Sequence, residues 1–231
     1  MIIKSSQQAN PIDMIYYRRH LPHYQPLDAT FFVTFRLAGS LPAAVIEEMR
    51  ANRERTKRRI ERINNRKTRS DEWYEFNIDY FARFDGLLDK NEKSLLWLRE
   101  PRIAGIVKES IHHRDQKEYD LIAYCIMPNH VHMVFGVGRL AESTSSKNGR
   151  DSVSTYIVTR ILESLKKYTA LYANRKLHRT GSFWQHESYD HVVRDDADLS
   201  RIVEYVLMNP VHARLVETWE AWPWTYLKNI S

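Results

Sequence analysis

The chain has 231 residues, with 35 Lys and Arg against 29 Asp and Glu and a single cysteine. That length supports a sizeable core in one α+β domain with insertions, and the lone Cys125 excludes an internal disulfide and gives no sign of an oxidising compartment. The formal charge of +6 suits a polyanionic partner such as nucleic acid, while the lack of any run near ~20 apolar residues, or of an apolar core in "MIIKSSQQANPID", points to a cytoplasmic protein without membrane contact.

In chain order, "TFFVTFRLAG" (30–39) is a near-continuous β-branched and aromatic run, as expected of a strand buried on both faces. A Gly-Ser-Leu-Pro punctuation follows, and a long helix is expected from near Leu41. Residues 50–69 concentrate basic side chains on it; Arg55, Lys57, Arg58 and Arg59 are candidate phosphate contacts, the alternative being a solvated face. From Ser70 to Lys93 the pattern is mixed, without a clean period, and reads as an insertion. "PRIAGIVKESIHHR" (101–114) opens on proline and places Ile103, Ile106, Val107 and Ile111 at helical spacing. "EYDLIAYCIM" and "HVHMVFGV" are expected as antiparallel neighbours joined at Pro128-Asn129, with Cys125 a buried thiol. A polar, Gly/Ser-rich segment (138–152) reads as a mobile loop. The next helix, 153–174, carries Ile157, Ile161, Leu162, Leu165 and Tyr168 on its apolar side, which makes Tyr168 a core residue. "SFWQHESYDHVV" (182–193) is expected as a strand and the last helix to begin near Asp198. This order predicts a ferredoxin-like antiparallel sheet with helices on one face and an additional C-terminal helix. One domain over residues 1–231 is expected, with a basic helical insertion at about 41–100.

Two stretches carry chemistry. In "MPNHVHMVFG", His130 and His132 are two apart on a strand, so their imidazoles share one face and can converge on one metal ion. The spacing alone does not decide it, because cupins, phosphodiesterases and many zinc enzymes share it. In "DLSRIVEYVLMNP", Leu199, Ile202, Val203, Val206 and Leu207 mark the core side of a helix. Tyr205 lies about 120° from the centre of that stripe and Asn209, one turn on, about 80° from it. A phenol with a carboxamide oxygen beside it suits a hard divalent ion. The alternative is a tyrosine at a helix margin and an asparagine that ends the helix before Pro210.

"YCIMPNHVHMVF", "GSFWQHESYDHVVRDDADLSRIVEYVLMNPVHARLV" and "WPWTYL" together resemble the REP-associated tyrosine transposases, relatives of the single-tyrosine HUH transposases of small insertion sequences. The resemblance covers roughly residues 15–40 loosely and 100–227 well; the charged stretch 41–100 is longer than compact members need. It implies an HUH-type domain in which His130 and His132 bind a divalent metal, Mg²⁺ or Mn²⁺, Asn209 is the third ligand and Tyr205 the nucleophile. It also implies a single-stranded DNA substrate, folded as palindromic repeat hairpins, that is nicked and rejoined through a covalent 5′-phosphotyrosine by a monomer or a dimer.

His191 and Asp190 are candidates, through the family pattern, for assisting the phenol, the alternative being a strand-end pair that orients the sheet or a DNA loop, with His191 a candidate DNA-binding residue. Tyr168 and Tyr189 are rival phenols. Trp184 and Phe183, with Trp222 and Trp224, are candidate base-stacking groups, or else pin the tail. A hairpin-binding module with vestigial catalysis and a metal hydrolase unrelated to DNA are the alternative functions; the hydrolase gives no reason for Tyr205, Asn209 or the basic surface, and a tyrosine-linked DNA product separates the nickase from both.

Overall fold

A computed structural model describes residues 16–19, 21–24, 29–90, 95–138 and 157–228. Among the described residues, strands β1 (Tyr16–Arg19) and β2 (Leu21–Tyr24) pair only with each other. The main sheet comprises β3 (Ala29–Arg36), β4 (Asp120–Ile126), β5 (His130–Val137), β6 (Tyr189–Val192) and β7 (Thr225–Leu227), in the order β6-β3-β5-β4-β7. Each neighbouring pair is antiparallel. The helices are α1 (Ala43–Glu61), α2 (Arg66–Lys90), α3 (Pro101–Arg114), α4 (Ile157–Lys176) and α5 (Asp196–His212).

Because β3 and β4 are both antiparallel to β5, which lies between them, they run parallel to each other and need the long crossover that α1, α2 and α3 supply. By the same logic β5 and β6 flank β3 and are joined through α4. This is the ferredoxin-like order that the sequence predicts, with β7 added at the β4 edge.

Helices cover both faces of the sheet, not one. Phe31, Val33, Phe35 and Leu37 point with Met133 and Phe135 into a core closed by Ile103, Val107 and Ile111 of α3 and by Ile161 and Leu165 of α4. Phe32, Ala123, Cys125 and Val134 face the other way, against Phe81 of α2 and Val206 of α5. A strand apolar on both faces cannot leave one of them to water, since each fully buried Phe, Leu or Val is worth roughly 1.5–3 kcal/mol. The unbroken run in β3 therefore calls for two layers of helix, and the insertion and the last helix form the second.

The remaining differences from the expectations are local. The basic run is divided between two helices: α1 stops at Glu61, and α2 starts where the Asn65 side chain accepts from the Thr68 amide at 3.0 Å. The stretch 70–93 is helical as far as Lys90. Tyr168 is 45% exposed, its ring against Tyr172 with centroids 4.5 Å apart, so it is not a core residue. Only Tyr189–Val192 of the stretch 182–193 is strand. Before it, Trp184 makes an isolated antiparallel bridge with Leu37, and Lys166 Nζ then donates to Gln185 O (3.0 Å), His186 O (3.2 Å) and Ser188 Oγ (2.6 Å). Helix α5 opens at Asp196, capped by the Asp195 side chain on the Asp198 amide at 2.8 Å, and continues through Pro210. The expected loop lies outside the described residues beyond Gly138, as does the expected helix start at 153–156. Among the described residues no helix is long and apolar enough to cross a membrane.

Candidate metal and nucleophile site

The turn at Pro128 and Asn129 starts β5 at His130, and His132 follows on the same face. Both imidazoles are 0% exposed, and their Nε2 atoms lie 2.9 Å apart. The other nitrogens are held from behind. Asn129 donates Nδ2 to Leu88 O at 2.9 Å, which fixes its amide so that Oδ1 faces His130 Nδ1 at 2.6 Å. An amide oxygen only accepts, so His130 Nδ1 carries the hydrogen and its Nε2 presents a lone pair. His132 Nδ1 is 2.8 Å from the Thr34 hydroxyl on the paired strand.

Opposite the two histidines stands Asp85, from α2. Its Oδ1 lies 3.4 Å from His130 Nε2 and 3.2 Å from His132 Nε2. Its Oδ2 accepts the Tyr205 hydroxyl and Asn209 Nδ2, the latter at 3.0 Å. Asn209 Nδ2 is also 3.3 Å from the Tyr205 oxygen, one helical turn away. The Asn209 amide is oriented by Asp85, since turning it over would set two oxygens face to face. Its Oδ1 is then buried without a hydrogen bond, as is Asp85 Oδ1.

Lone pairs that converge in a buried space without a positive charge between them are strongly unfavourable. Asp85, His130 and His132 each offer a ligand atom, all within 4.8 Å of one another, and the unpartnered Asn209 oxygen belongs to the amide whose Nδ2 bonds Asp85. The donor set fits a divalent cation, and the hydrogen bonds behind His130 and His132 are those that orient metal-binding imidazoles.

The electrostatics separate the roles. Burial opposes the charge on Asp85, but His132 and then His130 outweigh it and hold the carboxyl below the usual carboxylate range. Burial, then His132, drives His130 down to about 3, which leaves it a neutral ligand. The Tyr205 phenol is raised far above its ordinary value, by burial and then by the charge of Asp85. It is thus aligned and still protonated. Asp89, one turn after Asp85, is raised to about 6 by desolvation of its carboxyl and then by Asp85, although solvent still reaches its side chain.

Of the residues singled out in the sequence, His130, His132, Tyr205 and Asn209 come together here, and Asp85 was missed. Its signal was present: Tyr74, Phe81 and Leu88 are buried at seven-residue spacing, and Asp85 lies one turn after Phe81. His191 lies elsewhere, 3.3 Å from Asp198, which also accepts the Tyr74 hydroxyl at 2.6 Å. Tyr189 donates to Asn77 O at 3.3 Å and does not reach Asp85. Trp184 is 7% exposed, packs edge-on against Phe35 and donates to Thr169 Oγ1 at 2.8 Å, so its ring is not free to stack on a base. Phe183 is equally enclosed, and Trp222 fixes the tail by donating to Ile126 O at 3.0 Å. Arg55, Arg58 and Arg59 are exposed on α1, Lys57 is half-buried, and Arg59 pairs with Glu72 at 3.1 Å.

No protein-family model matches the chain. Over 108 residues it is 30% identical to a curated protein of Haemophilus influenzae described as a REP-associated tyrosine transposase. The match takes in 46% of this chain and spans 58% of that relative's length. A solved structure, described as a REP-associated tyrosine transposase bound to a REP hairpin, aligns with a TM-score of 0.47 at 16% identity, over 92% of this chain and 82% of the other.

Proposed function

We propose that the chain nicks and rejoins single-stranded DNA, with hairpin-forming repeats as substrate, through a covalent 5′-phosphotyrosine at Tyr205 and with Mg²⁺ or Mn²⁺ as cofactor. The observation that carries the reading is that one carboxylate, Asp85, faces both histidines with one oxygen and accepts the Tyr205 hydroxyl with the other. The likeness to the Haemophilus influenzae protein agrees with it.

The ion, held by His130, His132 and oxygens of Asn209 and Asp85, would polarise the scissile phosphate and favour the phenolate. The chain's own groups do the rest. The phenol proton already points at Asp85, so it has an acceptor as the Tyr205 oxygen forms its bond to phosphorus. The P–O3′ bond breaks, and the leaving oxygen takes up a proton to become a free 3′-hydroxyl. One diester replaces another, so the reverse attack by a 3′-hydroxyl rejoins the strand. Within one domain, the helical insertion contributes Asp85 to this chemistry.

The test uses a single-stranded repeat hairpin labelled at its 3′ end, incubated with Mn²⁺ or Mg²⁺. The labelled fragment should become attached to the protein and stay attached under denaturing electrophoresis. Tyr205→Phe should form no adduct while retaining fold and DNA binding. An adduct of undiminished yield from Tyr205→Phe would mean that another phenol attacks.

A further inference from the structure

Beside this site, between α1, α2, β3 and the segment leading into β6, lies a cavity of about 250 Å³ whose lining includes Thr34, Arg36, Met49, Arg53, Tyr80 and Phe84. Two buried guanidinium groups form part of its wall. Arg36 is 4% exposed and donates to the Ser40 hydroxyl at 2.9 Å, while Arg53 is 8% exposed and lies 5.5 and 5.4 Å from the rings of Trp73 and Tyr80. Neither has an ion-pair partner among the described residues; of the two acids in the lining, Glu187 is engaged by Arg50 and Glu54 is exposed on α1.

Buried charges without a counter-charge are costly, and a site holding two of them is completed by an anion. Positive charge is already crowded there. Burial brings Arg36 down to about 10, and burial followed by the charge of Arg36 brings Lys166 down to about 7. With Arg50 the lining holds three arginines against Glu54 and Glu187, and its flat and aliphatic part is made by Tyr80 and Phe84, one turn apart on α2, and by Ile46 and Met49 of α1. An anion joined to a planar ring is the chemistry of a nucleotide. The volume falls below the ~300–1,000 Å³ of sites for whole small molecules, as suits one unit of a polymer.

The cavity shares a wall with the catalytic site. Thr34 lines it, and the Thr34 hydroxyl is the group behind His132. Arg36 is two residues further along β3, about 7 Å away, which corresponds to about two stacked nucleotides at ~3.4 Å per nucleotide.

We propose that this cavity holds one unpaired nucleotide of the DNA strand, one or two positions from the phosphodiester at His130 and His132, with its base against Tyr80 and Phe84 and its phosphate at Arg36 and Arg53. The proposal rests on the single-strand DNA reading above. It gives the insertion a second task, that of fixing where along the strand cleavage falls.

Binding is measured with metal chelated, so that no chemistry intervenes. The probes are a thymidine homopolymer of about 12 nucleotides, within the ~4–16-nucleotide sites of single-strand binders, and a base-free backbone of the same length. The wild-type protein should favour the thymidine strand about tenfold, and Tyr80→Leu or Arg53→Met should each weaken its binding about tenfold, with Tyr80→Leu also erasing the preference for bases. Unchanged affinities in both variants overturn the proposal. Should either variant melt early, the wild-type protein is photocrosslinked to a 4-thiothymidine strand: attachment to the peptide holding Tyr80 and Phe84 supports the cavity, and attachment elsewhere overturns it. Thymidine 5′-monophosphate is the control for a free ligand, and if it competes as well as the strand does, the site serves a free nucleotide and the proposal fails. A protein that binds as described yet forms no adduct defeats only the transferase reading, whereas adduct formation with unaltered Tyr80 and Arg53 variants defeats only the cavity.

Discussion

Asp85 is the residue on which the site turns, because its two oxygens join the histidines to the nucleophile. Asp85→Asn keeps the shape and removes the anion, so Mn²⁺ binding followed by calorimetry should weaken by at least about tenfold. Asn129→Ala, which frees His130 to rotate and removes the donor to Leu88 O, should weaken it by about 10–100-fold. Tyr205→Phe should bind Mn²⁺ nearly as the wild type does. If Asp85→Asn binds Mn²⁺ with unchanged affinity, the carboxylate serves the phenol alone. Asn209→Ala removes the unpartnered buried oxygen and should raise the metal concentration needed for adduct formation more than it lowers the rate at saturation.

At the scale of elements, the site depends on α2 and α5 lying side by side over the sheet. Their far ends are joined at Asp198, 3% exposed, which accepts from the Tyr74 hydroxyl, from the Arg194 amide at 3.1 Å and from His191. Burial opposes its charge, but the Tyr74 hydrogen bond and those from Arg194 and His191 prevail, so its carboxyl is lowered from the ordinary 3.8. A depressed folded-state value means stability that is complete above the unfolded value and lost as pH falls through the folded one. Asp198→Asn should therefore cost about 1–3 kcal/mol in urea unfolding at neutral pH, and the deficit should shrink below about pH 4. A deficit that is constant down to pH 2 would mean that charge is not what Asp198 contributes. The same elements mark how far the sequence could be read. Strands β3, β4 and β5 and helices α3 and α5 were legible because their apolar residues keep a clean period. Helix α2 was not, because its buried Tyr74, Phe81 and Leu88 recur only every seven residues and are interrupted by the buried Asp85. The pairing of Tyr205 with Asn209 could be read from helical geometry; the seven-residue spacing marks the inward face that holds Asp85, but not its meeting with Tyr205, 120 residues away in the chain. The stretch before β6 differs for another reason: Trp184 makes an isolated antiparallel bridge with Leu37, and the ladder is then interrupted at residues 185–188, where Lys166 takes the free acceptors.

For the whole molecule, the charge of +6 sets the terms on which the proposed DNA substrate would bind. Affinity for a single strand should fall as salt rises, through lost counterion release, and should exceed that for duplex of equal length. Replacing Arg55, Lys57, Arg58 and Arg59 together should flatten the salt slope and leave cleavage at saturating DNA intact; an unchanged slope would make that face of α1 a solvated one. One feature of the fold also bears on timing. His130, His132, Asp85 and Asn209 are each at most 2% exposed, with Phe81 and Leu88 of α2 buried on either side of Asp85. A phosphodiester cannot reach ligands so enclosed while α2 lies over them. On the proposed reading α2 is a latch: it would open to admit the phosphodiester and close again to return Asp85 to Tyr205. The fraction of molecules with the latch open would divide the apparent affinity for substrate, so a mutation that loosens the packing of α1 on α2 far from any ligand should strengthen binding while it weakens the fold.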